Sequence, residues 1–314
     1  MEPAVDGMNS PGPETGRHTG WLIEKDVPTW VLAIVIYACW IALIWFHAAI
    51  PWWLMLPAAA YVTAWHFNFQ HEAVHSWRSI PRWLRTAIVW PPLGLWFPFE
   101  IYRRNHTIHH RNARLTYPGQ DTETLYHARD DWAGYSGLWR GLLLINQTVA
   151  GRLLLGPFLR WWKLLRNDIA PLFKGQFDDL WSWVRHACGV AAILWFVVGL
   201  AGMPLWEFLL FFFYGGMALG MLRPFLEHRW AEKPYGRIAS VESNWVLGLM
   251  FLWNNLHIAH HLHPTIPWFQ LPRFYRENRE RLLGLNGGYV LSGYGVIAWR
   301  YLFKPVFVPR HPEA

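Results

Sequence analysis

The sequence of 314 residues predicts an all-α integral membrane protein, with four transmembrane helices in two hairpins and a cytoplasmic helical cap rich in histidine. Composition is the first reason. Hydrophobic residues make up 53% of the chain, charged residues only 16%, and there are 24 Trp, well outside ordinary soluble usage. The second is a pair of long apolar runs. From Val27 to His71 no Asp, Glu, Lys or Arg occurs, and at about 1.5 Å per residue that run is long enough to cross a hydrocarbon core of about 30 Å twice. His186 to Leu222 carries one charge, Glu207. The third is where positive charge falls: all 28 Lys and Arg lie outside both runs, 2 in residues 1–26, 15 in 72–185 and 11 in 223–314. By the positive-inside rule both termini and both large polar segments face the cytoplasm, as in a protein of the cell inner membrane.

The elements follow in order. Residues 1–28 form a cytoplasmic tail and interfacial lead-in, whose first 20 residues are rich in Pro and Gly and predict disorder. Residues 29–71 form the first hairpin, broken near "HAAIPWW" at 47–53. Residues 72–185 form a cytoplasmic segment, 186–227 the second hairpin, interrupted by "AGMP" at 201–204, and 228–314 a second cytoplasmic segment. The apolar stretches 83–97 and 244–255 are short for crossings and are expected in the interface or beneath the cap. Cys39 and Cys188 lie in or beside apolar spans, which argues against a disulfide framework. The net charge of +7 suits anionic headgroups or an acidic protein, and no nucleic-acid recognition motif accompanies it.

The chemistry lies in the histidines. "HEAVH" puts His71 and His75 four apart on one helical face, able to grip one metal, and with Glu72 it completes the H-E-x-x-H pattern of zinc peptidases. "HTIHH" supplies His106, His109 and His110, and "HIAHH" supplies His257, His260 and His261. With 16 His in the chain, chance would produce about 0.04 copies of such a pattern, so two copies point to function. The last span ends at Glu227 and His228. Nine imidazoles thus reach one polar face, too many for one metal. Neutral imidazole suits iron, zinc, copper or nickel, while the absence of thiolates argues against structural zinc. An apolar setting favours a long hydrocarbon substrate, and breaking an unactivated C–H bond needs a metal and oxygen, which favours iron. His18, His47, His127, His186 and His311 read as solvated or core residues. His66 reads as packed in the span, and His263 as lying beyond a helix end.

With "HEAVH", "HTIHH", "FLEHR" and "NNLHIAHHLHP" in these positions, the chain resembles the membrane-bound fatty acid desaturase and hydroxylase superfamily over residues 29 to about 275. The resemblance implies a non-haem di-iron centre in the cap. It makes His71, His75, His106, His109, His110, His228, His257, His260 and His261 the expected iron ligands. Glu72, Asn254, Asn255, Asp121 and Glu123 are the expected partners that orient imidazoles. It also implies fatty acyl desaturation with O2 and two electrons. Hydroxylation of an acyl or alkyl chain, alkene-forming decarboxylation and carotenoid oxidation are alternatives within the superfamily. A membrane zinc protease with Glu72 as general base is a distant alternative, because it leaves both H-x-x-H-H segments without a task. The chain has no flavin or nicotinamide fingerprint and no cysteine cluster, so electrons are expected from a separate donor of the ferredoxin, rubredoxin or cytochrome type.

Overall fold

A computed structural model describes residues 24–314; the predicted disordered leader and His18 lie outside the described residues. Helices dominate, and among the described residues the only sheet is a parallel pair, β1 (Ser240–Val241) beside β2 (Val290–Leu291).

Helices α1 (Val27–Trp45) and α2 (Trp52–His75) form the first hairpin. Pro28 sits in the first turn of α1, where a missing N–H costs nothing. The chain reverses through a 3-10 turn, His47–Ala49, and Pro51, in extended conformation, caps α2. Two shorter helices follow, α3 (Arg82–Val89) and α4 (Phe99–His110). The second hairpin is α5 (Leu180–Leu200) and α6 (Leu205–Glu227), joined through Gly202 at φ +70°. π-Helical stretches, Trp195–Leu200 and Leu209–Tyr214, flank that turn.

Among the described residues three helices are long and apolar enough to cross a membrane: α1, α5 and α6, with mean hydropathies of 2.3, 1.6 and 1.6. Helix α2 is longer, at 24 residues, but is not among them. The reason lies in its sequence, which gives inward positions to Thr63, His66, Asn68, His71 and Glu72, all buried. It packs against α1 on one side and α6 on the other. A Cβ on Gly216 of α6 would lie 2.4 Å from the Thr63 side chain, so the two backbones approach as closely as glycine allows. At the hairpin tips, Nδ1 of His47 meets Oε2 of Glu207 at 3.2 Å. The lone charge of the second apolar run therefore links the two hairpins.

Ile36, Trp40, Ile44, Met55, Phe208 and Phe212 form a buried apolar core between the hairpins. Phe225, Met250 and Phe251 centre a second core under the cap, and Ile258, Leu271 and Leu282 a third behind the last histidine segment. Trp45, Trp52, Trp53 and Trp206 near the tips are exposed, as are Leu138, Phe158, Trp161 and Trp162 on the cap helices. Such large apolar side chains, open to solvent in a soluble protein, suit a lipid boundary.

Candidate metal centre

Four elements bring the nine histidines together. The last turn of α2 carries His71 and His75, whose ring centres are 5.1 Å apart. Helix α4 ends on His106, His109 and His110. His228, just past α6, is extended and forms a bridge with Ile238. A short helix, α7 (His257–Leu262), carries His257, His260 and His261.

These side chains do not form one cluster. His71, His75, His106, His110 and His260 offer ligand atoms that lie within 4.8 Å of one another, and so do His109, His228, His257 and His261. Each group could hold a metal ion. Helical geometry explains the split. Positions i and i+4 are about 40° apart around a helix, while i+3 falls about 60° to the other side of i. His106 and His110 therefore turn to the first group and His109 to the second; His257 and His261 turn to the second group and His260 to the first. Both H-x-x-H-H segments serve both groups.

The donor set fits metals. In the first group Nε2 of His260 and His110 are 3.1 Å apart. In the second, Nε2 of His228 lies 3.1 Å from that of His109 and 2.9 Å from that of His257, which is 3.0 Å from that of His261. At a metal–nitrogen distance of about 2.0–2.1 Å, two ligands at right angles stand about 3 Å apart. Both nitrogens of His71 and Nε2 of His75 and His106 are buried without a hydrogen-bond partner. Buried polar atoms rarely stay unpaired, and a metal would satisfy them.

Carboxylates and carbonyls fix the outer edges of the rings. Nδ1 of His106 is 2.7 Å from Oε1 of Glu123, and Nδ1 of His109 is 2.7 Å from Oδ1 of Asp121. Nδ1 of His257 lies 3.2 Å from both Oε1 of Glu227 and the Asn254 carbonyl, and Nδ1 of His228 lies 3.2 Å from the Arg237 carbonyl. A ring that donates from Nδ1 presents the Nε2 lone pair inward. Burial alone would raise the Asp121 and Glu123 carboxyls, but His109 beside Asp121, and His106 and His109 around Glu123, outweigh it and hold both below the usual range. Burial, reinforced by neighbouring imidazoles, holds His257, His260 and His261 well below their ordinary value, and brings His228 to about 3. They are neutral, as metal ligands must be.

Glu72 stands elsewhere. Its Oε1 accepts hydrogen bonds from the Ser76 hydroxyl and, at 3.1 Å, from the Trp268 N–H, so it orients the chain after α2 rather than an imidazole. The general base of a zinc peptidase would have to face metal-bound water. Asn254 reaches His257 through its main-chain carbonyl, while its amide donates to Phe251 O at 2.9 Å. The amide of Asn255 donates to Val241 O at 2.7 Å, tying the last histidine segment to β1. His66 is buried beside Tyr37, and His263 meets Phe274 edge to face; neither belongs to a metal group.

Glu227 of "FLEHR" is a further imidazole partner, and its signal in the sequence is an acidic residue at the end of an apolar span. Arg223 donates to it at 2.6 Å, balancing its charge. Tyr102, stacked on His106 at 5.5 Å, gave no sequence signal. Several strained residues surround the centre: Trp77, Thr116, Leu252 and Trp253 all have positive φ. The N–H of Thr116 donates to Oδ2 of Asp121 at 2.8 Å, so one strained turn positions the carboxylate that holds His109.

Fold and site together define a helical membrane protein with two adjacent groups of histidines that could each hold a metal ion. A family model described as fatty acid desaturase matches residues 48–292, and the chain belongs to that family. It is an oxidoreductase of the desaturase and hydroxylase superfamily, with a lipid substrate. No curated protein sequence matches the chain significantly.

Proposed function

We propose that the protein is a non-haem di-iron enzyme that desaturates a fatty acyl chain. One iron would be held by His71, His75, His106, His110 and His260, the other by His109, His228, His257 and His261. The observation that carries this reading is the convergence of nine imidazoles into two adjacent groups in a member of this family. Bound iron, given O2 and two electrons, supplies an oxidant able to break an unactivated C–H bond, which no side chain can do.

The chain's own residues supply position and shelter. Asp121, Glu123 and Glu227 accept the Nδ1 protons and aim the Nε2 lone pairs inward. Burial of His71, His106, His109, His257 and His260 keeps water from the centre. Helix α2 acts as the fourth crossing, its polar side shielded by α1 and α6. Both polar segments then lie on one face, the cytoplasmic side of the cell inner membrane. Electrons come from a separate acidic protein of the ferredoxin, rubredoxin or cytochrome type, drawn to that basic face.

Desaturation and hydroxylation begin with the same hydrogen abstraction and part afterwards, when a second hydrogen leaves or an oxygen is returned. The family description favours the former. Lipid mass spectrometry of cells with and without the protein tests this: products lacking two hydrogens are expected. Products gaining an oxygen would show hydroxylation, and a lost carbon would show decarboxylation. Purified protein from iron-replete cells should contain about two irons per chain, as two-metal sites do. One zinc and no iron would refute the assignment. Sustained turnover with O2 and lipid but no reduced donor would refute the external donor.

A further inference from the structure

Away from the histidines, Arg129, Arg140 and Arg310 surround a cavity of about 460 Å³ on the cap, with Trp132 and Ala133 completing its wall. The three come from separate parts of the chain, and the fold works to hold them there. The C-terminal segment is tied down beside the helix Arg129–Gly134. His127 N donates to Pro309 O at 2.8 Å, His311 N to His127 O at 2.9 Å, and Arg129 N to Ala314 O at 2.7 Å. Arg140 is fixed by donating to the main-chain carbonyls of Tyr135 at 2.9 Å and Ala133 at 3.0 Å. Those carbonyls orient the guanidinium without neutralising it.

No ion pair among the described residues engages these three guanidinium groups, although the carboxyl of Ala314 lies at the Arg129 main chain. Among the described residues the arginine ion pairs involve Arg104, Arg185, Arg223, Arg273 and Arg279, and none of these three. Asp130 and Asp131 belong to the same helix as Arg129 but do not line the cavity. Three guanidinium groups that line one cavity without a direct ion-pair partner repel one another, and an anion bound between them would reduce that cost. Guanidinium forks match the oxygens of phosphate with paired hydrogen bonds better than those of a spherical anion. The cavity is also much larger than a lone anion needs, falling within the range of about 300–1,000 Å³ typical of organic ligands. Trp132 offers an indole wall to whatever the phosphate is attached to.

We propose that Arg129, Arg140 and Arg310 bind the phosphate of an organic phosphate, with Trp132 against its organic part. The site is distinct from the metal centre and does not depend on which lipid is oxidised. A membrane phospholipid headgroup and a soluble phosphate ester share this chemistry, so two probes separate them.

The test uses full-length, metal-loaded protein in detergent. Calorimetric titration with adenosine diphosphate, with adenosine as the phosphate-free control, reports a soluble ester. Retention of phosphatidic acid over phosphatidylcholine on the purified protein reports a phospholipid headgroup. Binding of either phosphate probe, at least tenfold weaker in Arg129→Gln/Arg310→Gln, is expected. Arg140 is left intact because its carbonyl contacts hold the turn. The single variant Arg310→Gln, at an exposed position, provides the same comparison if the double variant is poorly folded. Arg276→Gln/Arg281→Gln, remote in sequence, should bind like wild type, and metal content should be unchanged in every variant. Equal binding by wild type and Arg129→Gln/Arg310→Gln, or adenosine binding as tightly as adenosine diphosphate, would overturn the proposal.

Discussion

Replacing Asp121 by Asn tests how the second metal group is held. Oδ1 of Asp121 lies 2.7 Å from Nδ1 of His109 and accepts from Glu123 N at 3.0 Å, while Oδ2 accepts from Thr116 N at 2.8 Å. All of these contacts need an acceptor. Asparagine has one acceptor oxygen and one donor amide, so one side of the residue must fail. If the oxygen serves Thr116, the amide confronts Nδ1–H of His109, and relief requires the imidazole proton to move to Nε2. That removes the lone pair pointing toward His228, whose Nε2 is 3.1 Å away. A buried hydrogen bond to a charged group contributes about 1.5–3 kcal/mol, equivalent to about 10- to 150-fold in affinity. Loss of such partners at metal sites costs about 10- to 100-fold. Competition with a graded series of chelators, read by elemental analysis, should show metal content falling from about two ions toward about one. The group containing His71 should keep its ion. Unchanged content and affinity in Asp121→Asn would refute this account of His109.

Further predictions follow from other contacts. Glu72→Gln should retain metal and activity, because the Gln oxygen can still accept from Ser76 and Trp268; abolished activity with metal retained would restore Glu72 to a catalytic role. Gly216→Val should destabilise the protein by about 1–3 kcal/mol through overpacking against Thr63, read as a lower thermal midpoint in detergent, and an unchanged midpoint would contradict the close approach of α2 and α6. Metal-free protein should lose stability as pH falls below about 6.5, where histidines of the unfolded chain take up protons that burial denies to His257, His260 and His261 in the fold. Their folded values are depressed, so the stability is present above that pH and is lost below it. Thermal melts at pH 8 and pH 5.5 check the sign.

The hairpins and the histidines were legible in the sequence because both signals are local. A run without charges and a Pro or Gly break need no knowledge of the partner helix: α1 stops at Trp45 and α2 starts at Trp52, so the turn between them, 46–51, overlaps "HAAIPWW" at 47–53. The i, i+4 spacing of His71 and His75 likewise carries its own geometry. Hydropathy was less informative for α2, whose buried polar residues make it less apolar than the other long helices and become intelligible only when α1 and α6 cover them. The i, i+3, i+4 spacing accounts for His109 and His260 turning away from their sequence neighbours, but not for which segments complete each group: His71 and His75 join the first and His228 the second only through packing. The carboxylates show the same limit. Glu72 sits beside a histidine in sequence yet bonds Ser76 and Trp268, whereas Asp121, twelve residues from His109, meets its ring across a turn strained at Thr116. Adjacency along a helix sends successive side chains in different directions. The tertiary packing of separate segments alone decided which carboxylate met which imidazole.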